Sequence, residues 1–279
     1  MRRPALLAAP FLVGVGLLVV VPAVAAAVLA FTEFSGVQPP RFNGLDNLER
    51  LLSDTAFWRA TGNTLIYVAI AVPLRLAAAT FAALALHRRA RSSIVARPIV
   101  YLPSVVPDAA YALLWLWLLN PLYGPLATVF GASGILTSPW GARIALPLIA
   151  VFQIGEAFVV ALAVRRSIPA DVYEAAAMDG ASPWFTTTRL TLPLMAPVLA
   201  LLALRDLVFS LQVNFVPALL LTDGGPRYAT TYLPLYVYRT AFRYFRLGYA
   251  STMALSMFVV TALIVYVQYR LFKRWRSAA

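Results

Sequence analysis

Long apolar runs alternate with short polar segments along the whole chain. The apolar runs cover about 6–31, 59–86, 98–119, 144–164, 197–221 and 248–272. Each can cross a hydrocarbon core, which takes roughly 20 apolar residues in a helix. A helix satisfies its own backbone groups in lipid, so runs of this length predict spanning helices. The pattern predicts an all-α, polytopic membrane protein: six transmembrane helices in a single transmembrane domain over 1–279. The first run exceeds the length of a signal-peptide core and is expected to stay as a span.

The longest weakly hydrophobic interruption is the loop 165–196, between spans 4 and 5. Its centre, with the start of span 5, reads DVYEAAAMDGASPWFTTTRLTLPLMAP from Asp171 to Pro197. Ser167 or Asp171 can cap a first helix over the alanine-rich part. Gly180 is placed to end it, because glycine takes the left-handed conformation without steric cost. Ser182 then serves as N-cap and Pro183 as the first residue of a second helix. Pro193 and Pro197 are expected to stop or kink that second helix. The result is two short helices meeting at an elbow.

Charge orients the chain. The net charge is +12 and hydrophobic residues make up 61%. With both termini inside, the inner segments hold 13 basic residues, including Arg2, Arg3, Arg88, Arg89, Arg165 and Arg166, against 8 outside. The excess of positive charge marks the cytoplasmic side. The elbow and both termini are therefore expected in the cytoplasm. Arg239, Arg243 and Arg246 recur at helical spacing among aromatic residues, which predicts an interfacial helix over that segment.

Polar residues inside spans require a reason, because hydrocarbon does not solvate them. Span 4 carries Gln153 and Glu156, spaced to share a helix face. Span 5 carries Asp206, Ser210 and Asn214 at steps of four, with Arg205 adjacent. Arg75 and Asp108 lie in spans 2 and 3. Arg75, Asp108, Arg205 and Asp206 have two readings, pairing between helices that holds the bundle together or a place in a water-filled cavity for a polar solute. Gln153, Glu156 and Asn214 suit a hydroxyl-rich solute, each able to make several hydrogen bonds. The sequence has no cysteine, one histidine and no phosphate-binding loop with its lysine. It offers no catalytic or metal site, and an active transporter of this composition must draw energy from a partner or an ion gradient.

The elbow carries a family resemblance. Glu174-Ala175-Ala176, Asp179-Gly180-Ala181 and the later Leu192-Pro193 resemble the EAA loop of binding-protein-dependent ABC importer permeases. Leu221-Thr222-Asp223-Gly224-Gly225-Pro226 resembles the L-T-x-G-G-P signature of maltose-type carbohydrate permeases. Gly44-Leu45-Asp46-Asn47, Asn63-Thr64 and Leu247-Gly248-Tyr249-Ala250 extend the likeness over nearly the whole chain. It implies a permease subunit of an ATP-driven sugar importer in the bacterial inner membrane. The implied partners are a second, homologous permease, two ABC ATPase subunits and an extracytoplasmic solute-binding protein. ATP and Mg would be bound by the ATPase subunits, with no cofactor in this chain. Glu174, Ala175, Ala176, Asp179, Gly180 and Ala181 would form the ATPase-coupling helix. Gln153, Glu156 and Asn214 fall at or near the family's sugar contacts, although Gly155-Glu156 stands where aromatic residues or proline are common. An importer of glycerol phosphate or another polar solute shares this architecture. An ion-coupled secondary transporter would show paired repeats, which the sequence lacks.

Overall fold

The structure is a computed structural model that describes residues 3–88, 90–130 and 134–278. Arg2 and Arg89, which entered the charge balance, lie outside the described residues. In chain order the helices begin with α1 (Arg3–Val15), a π-helical turn (Gly16–Val20) and α2 (Val21–Leu29). A small hairpin, β1 (Thr32–Glu33) and β2 (Arg41–Phe42), precedes α3 (Asp46–Ser53) and α4 (Thr55–Ala85). Next come α5 (Arg91–Tyr101), α6 (Asp108–Leu118), α7 (Pro125–Phe130), α8 (Pro139–Val151) and α9 (Gly155–Ser167). The elbow comprises α10 (Ala170–Met178) and α11 (Pro183–Phe185), and a π-helical segment (Thr186–Thr191) leads into α12 (Leu192–Val213). The chain closes with α13 (Phe215–Thr222), α14 (Leu233–Tyr238) and α15 (Leu247–Ala278).

Four helical stretches are long and apolar enough to cross a membrane: Ala8–Leu29, Thr55–Ala85, Pro183–Gln212 and Leu247–Arg270. Two further pairs qualify only together. Arg91–Ser104 with Asp108–Leu118 is bent by 98°, and Pro139–Val151 with Gly155–Ser167 by 47°. Counting each pair as one span gives up to 6. The expected spans 3 and 4 are thus broken helices. Pro107 sets the first bend, since a residue before proline avoids the helical region and proline brings no N–H.

The chain groups into two compact units. The first joins residues through Arg59 with Leu233–Ile264. Its core packs Leu51, Phe57, Leu233, Tyr249 and Met253. The Asn47 amide, 8% exposed, donates to the carbonyls of Ala30 (3.0 Å) and Thr32 (2.9 Å), satisfying the chain where α2 ends. Between α3 and α4 the Asp54 carboxylate accepts from the N–H groups of Ala56 and Phe57 and from the hydroxyls of Tyr236 (2.7 Å) and Tyr249 (2.6 Å). Burial alone would raise the Asp54 carboxyl; the bonds from Tyr249, Tyr236 and the two N–H groups outweigh it and hold it below its ordinary value. The segment expected to be one interfacial helix through Arg246 ends earlier. A π-helical turn spans Arg239–Arg243, and Phe245 takes a left-handed φ of 51°.

The second unit holds Ala60–Tyr232 and the chain from Val265 onward. Its core sets Ala79 and Ala83 of α4 against Phe158, Ala161 and Leu162 of α9 and Met195 of α12. Small residues allow helix backbones to approach closely where lipid supplies no hydrophobic drive between helices. Pro193 and Pro197 do not stop the helix that leaves the elbow. Leu192 N–H bonds back to the Thr187 carbonyl, a five-residue step, so a π-helical segment precedes Pro193 and the helix continues through it.

Candidate functional site

Three helix breaks in the second unit meet a polar cavity. The first lies between α5 and α6, after Ser104; the second is Phe152–Ile154 between α8 and α9; the third is Asn214 between α12 and α13. Helix ends leave N–H and carbonyl groups without intrahelical partners, and lipid offers none. Partners come from neighbouring breaks. Gly155 N–H donates to Ser104 Oγ at 2.7 Å, and the Tyr111 hydroxyl donates to the Ile149 carbonyl at 2.7 Å. Gly155 is required for this approach, because a Cβ there would lie 2.6 Å from Ser104 Oγ.

The cavity where these breaks meet, about 130 Å³, is bordered by Arg75, Asp108, Gln153, Glu156, Arg205 and Asp206. A smaller space of about 40 Å³ shares Arg75, Asp108 and Gln153 and reaches Tyr111, Ser210 and Asn214. Gln153 thus borders both spaces, Glu156 the first and Asn214 the second. The break places Gln153 before α9 and Glu156 in its first turn, so the expected shared helix face becomes a shared cavity wall. Asp206, Ser210 and Asn214 keep their common face: Arg75 pairs with Asp206 at 2.9 Å and also donates to Ser210 Oγ. Arg205 pairs with Glu156. Asn214 is 3% exposed, and neither its oxygen nor its nitrogen has a partner. Ser104 and Tyr111 carried no signal in sequence, since their partners lie far along the chain.

The elbow is built differently. Gly180 has φ +74°, Gly180 N–H bonds to the Ala177 carbonyl (3.1 Å) and Ala181 N–H to the Ala176 carbonyl (2.9 Å). This paired closure satisfies the carbonyls at the end of α10. Ser182 Oγ accepts from Phe185 N–H at 3.2 Å and Pro183 follows as the first helical residue. The start of α10 departs from expectation: Pro169 is its N-cap residue, Ser167 Oγ donates back to Val164, and Asp171 lies in the first turn. Tyr173 braces the elbow, its hydroxyl 3.2 Å from buried Thr191 and its ring under the Arg165 guanidinium at 4.3 Å. Ala176 is buried, whereas Glu174, Ala175, Asp179 and Gly180 are exposed. Ala175, Asp179, Gly180 and Ala181 line an open groove of about 740 Å³, and Met178 and Trp184 stand out beside the turn, 84% and 77% exposed.

The Thr222–Thr231 segment is a third ordered feature. Asp223 and Gly224 take left-handed conformations that close α13. Thr231 Oγ1 donates to the Gly224 carbonyl at 2.9 Å. From α4, the Asn63 amide donates to the Tyr228 (2.7 Å) and Thr231 (3.3 Å) carbonyls, and its oxygen accepts from Arg143 at 3.3 Å. Asn63, one of the residues that extend the family resemblance, thus holds the backbone just after the glycine-rich signature. Among the described residues no group of histidine and acidic side chains could hold a metal ion.

Comparison with known proteins extends these findings. Residues 75–277 match the family model described as "Binding-protein-dependent transport system inner membrane component". The chain is 30% identical over 286 residues to the probable ABC transporter permease protein YesP of Bacillus subtilis (strain 168), covering 95% of this chain and 89% of that one. It is 28% identical to the lactose transport system permease protein LacF of Rhizobium radiobacter, over 95% of this chain and 92% of that one. A crystal structure of a bacterial ABC transporter involved in import of the acidic polysaccharide alginate contains a chain that superposes with a TM-score of 0.86 at 26% identity, covering 98% of this chain and 96% of that one.

Proposed function

The chain belongs to the family of inner membrane components of binding-protein-dependent transport systems, and from that premise we propose that it is the permease half of an ATP-driven carbohydrate importer. The observation that carries the solute site is Asn214, a buried amide with both polar atoms unpartnered, at a helix break beside the cavity. Such an atom pair is costly unless a ligand or water satisfies it. Gln153 and Asn214 contact the sugar, and Glu156 contributes to the same wall. A second, homologous permease completes the pathway. An extracytoplasmic solute-binding protein delivers the solute, in keeping with the family's description.

The elbow couples this cavity to two ABC ATPase subunits. Glu174 is exposed and has no ion pair among the described residues, which leaves it available to an ATPase surface. Ala175, Asp179, Gly180 and Ala181 present the groove, and Ala176 packs inward to hold the angle. From Thr186 the backbone runs helically into α12, which carries Asp206 and Ser210. Motion of the elbow therefore reaches the cavity through a continuous helical rod and shifts access from one side to the other. ATP and Mg are bound by the ATPase subunits. The protein is a multi-pass membrane protein whose termini and elbow face the cytoplasm.

The test is uptake by cells carrying the full importer and by cells lacking only this chain. Loss of labelled neutral oligosaccharide uptake, with the solute-binding protein still binding its sugar, is the expected result. Uptake that persists under ATP depletion and stops when the proton gradient is collapsed would instead assign an ion-coupled transporter.

A further inference from the structure

The acids around the cavity are unequal. Glu156 is held by Arg205 and Asp206 by Arg75, so both bordering arginines are engaged. Asp108 borders both spaces and has no ion pair among the described residues. Three acids against two arginines leave this wall with one net negative charge.

The helix ends point the same way. In broken transporter helices, the N-terminus of a half-helix carries partial positive charge and free N–H groups that hold anionic parts of a solute. Here α6 and α9 both start at breaks beside the cavity, and each has its own acid in the first turn, Asp108 and Glu156. The chain's own carboxylates neutralise the ends that an anionic solute would use. Asn214 supplies an independent indication of the ligand: its unpartnered Nδ2 needs an acceptor and its unpartnered Oδ1 needs a donor. A hydroxyl is both, so the ligand met at Asn214 carries hydroxyls, and the choice between charged and uncharged sugars falls to the carboxylates.

We propose that Asp108 is a solute-contacting, specificity-determining residue that accepts from hydroxyls of an uncharged, hydroxyl-rich solute and repels uronates and sugar phosphates. The proposal deepens the carbohydrate-importer reading and rests on it.

The experiment uses the assembled permease–ATPase complex in lipid nanodiscs and equilibrium dialysis. The probes are maltotriose, lactose and raffinose against trigalacturonate, lactobionate and glucose 6-phosphate. The wild-type complex should bind at least one neutral saccharide about tenfold or more tightly than every acidic one, the factor a like charge a few ångströms away readily supplies at an effective dielectric of about 20. Asp108→Asn should narrow that gap to about threefold or less as the repulsion is removed, and Asp108→Glu should restore it. Assembly with the ATPase subunits, checked by gel filtration, identifies any variant that fails to fold, and the gap is scored on those that assemble. An unchanged gap in Asp108→Asn, or wild-type binding of an acidic probe as tight as the neutral ones, overturns the proposal while leaving the importer reading intact. Binding of no saccharide of either charge removes the carbohydrate reading, and the proposal with it.

Discussion

The elbow at Gly180 and the break at Asn214 both interrupt helical chain, but their polar groups are treated in opposite ways. At the elbow every signal is local. Carbonyls at the end of α10 are closed by Gly180 and Ala181, and Ser182 caps the next helix within three residues. At Asn214 the amide is buried with both of its polar atoms unpartnered. The breaks at Ser104 and Gly155 lie between these extremes, closed by a bond between distant segments. A break satisfied within itself keeps its angle when its surroundings change, which suits a lever. One left open depends on what enters the adjoining space, which suits a site. The Asp54 junction in the first unit is closed in both ways, one carboxylate oxygen accepting from the adjacent Ala56 and Phe57 N–H groups and the other from the distant Tyr236 and Tyr249 hydroxyls.

The largest effect is expected where two breaks lock together. In Gly155→Val the new side chain would meet Ser104 Oγ, Ser104 Cβ and the Tyr101 ring, the nearest at 2.6 Å. Overpacking of this kind costs about 1–3 kcal/mol. The thermal midpoint in detergent should fall and uptake should be lost; an unaltered midpoint would show that the breaks do not depend on each other. Asn214→Leu separates the two kinds of break. The apolar replacement removes unpartnered polar atoms, so the midpoint should hold or rise, while sugar uptake should drop about tenfold through a lost hydrogen-bond pair. A drop in midpoint with unchanged uptake would make Asn214 a structural residue.

A smaller effect is expected at Asp54. Its folded-state carboxyl lies below its ordinary value, so its contribution to stability is complete above the unfolded value of about 3.9 and is lost as pH falls through the folded value. Asp54→Asn should lower the midpoint by a few degrees at neutral pH and flatten its decline below about pH 4. A midpoint that still declines as in the wild type over that range would show that the closed junction does not rely on this charge.

Closed breaks are legible in sequence because their determinants are adjacent. Gly180, Ser182 and Pro183 announce the elbow. The open and interlocked breaks are not, because what holds them is distant. Phe152, Gln153 and Ile154 include neither proline nor glycine, and the break they form depends on Ser104, 51 residues from its partner Gly155. Pro193 misleads as well: it follows a π-helical segment, and the helix runs through it without stopping. The pairing need of Arg75 and Arg205 could be read from their place in apolar spans. Their choice of Asp206 and Glu156, which leaves Asp108 over, required the three-dimensional arrangement.

The central claim is that a locally closed elbow transmits the ATPase cycle to the cavity. Gly180→Val tests it most directly, since among the described residues of this chain a Cβ at this position meets nothing within 4 Å and the strain it adds is that of the left-handed backbone at φ +74°. That penalty is about 1–2 kcal/mol, enough to alter the elbow angle without preventing assembly. In proteoliposomes containing the complete importer, basal ATP hydrolysis should stay within about twofold of wild type. Solute uptake per ATP should fall about tenfold, and Gly180→Asn, which tolerates the left-handed region better, should recover much of it. Wild-type uptake per ATP in Gly180→Val would contradict the account.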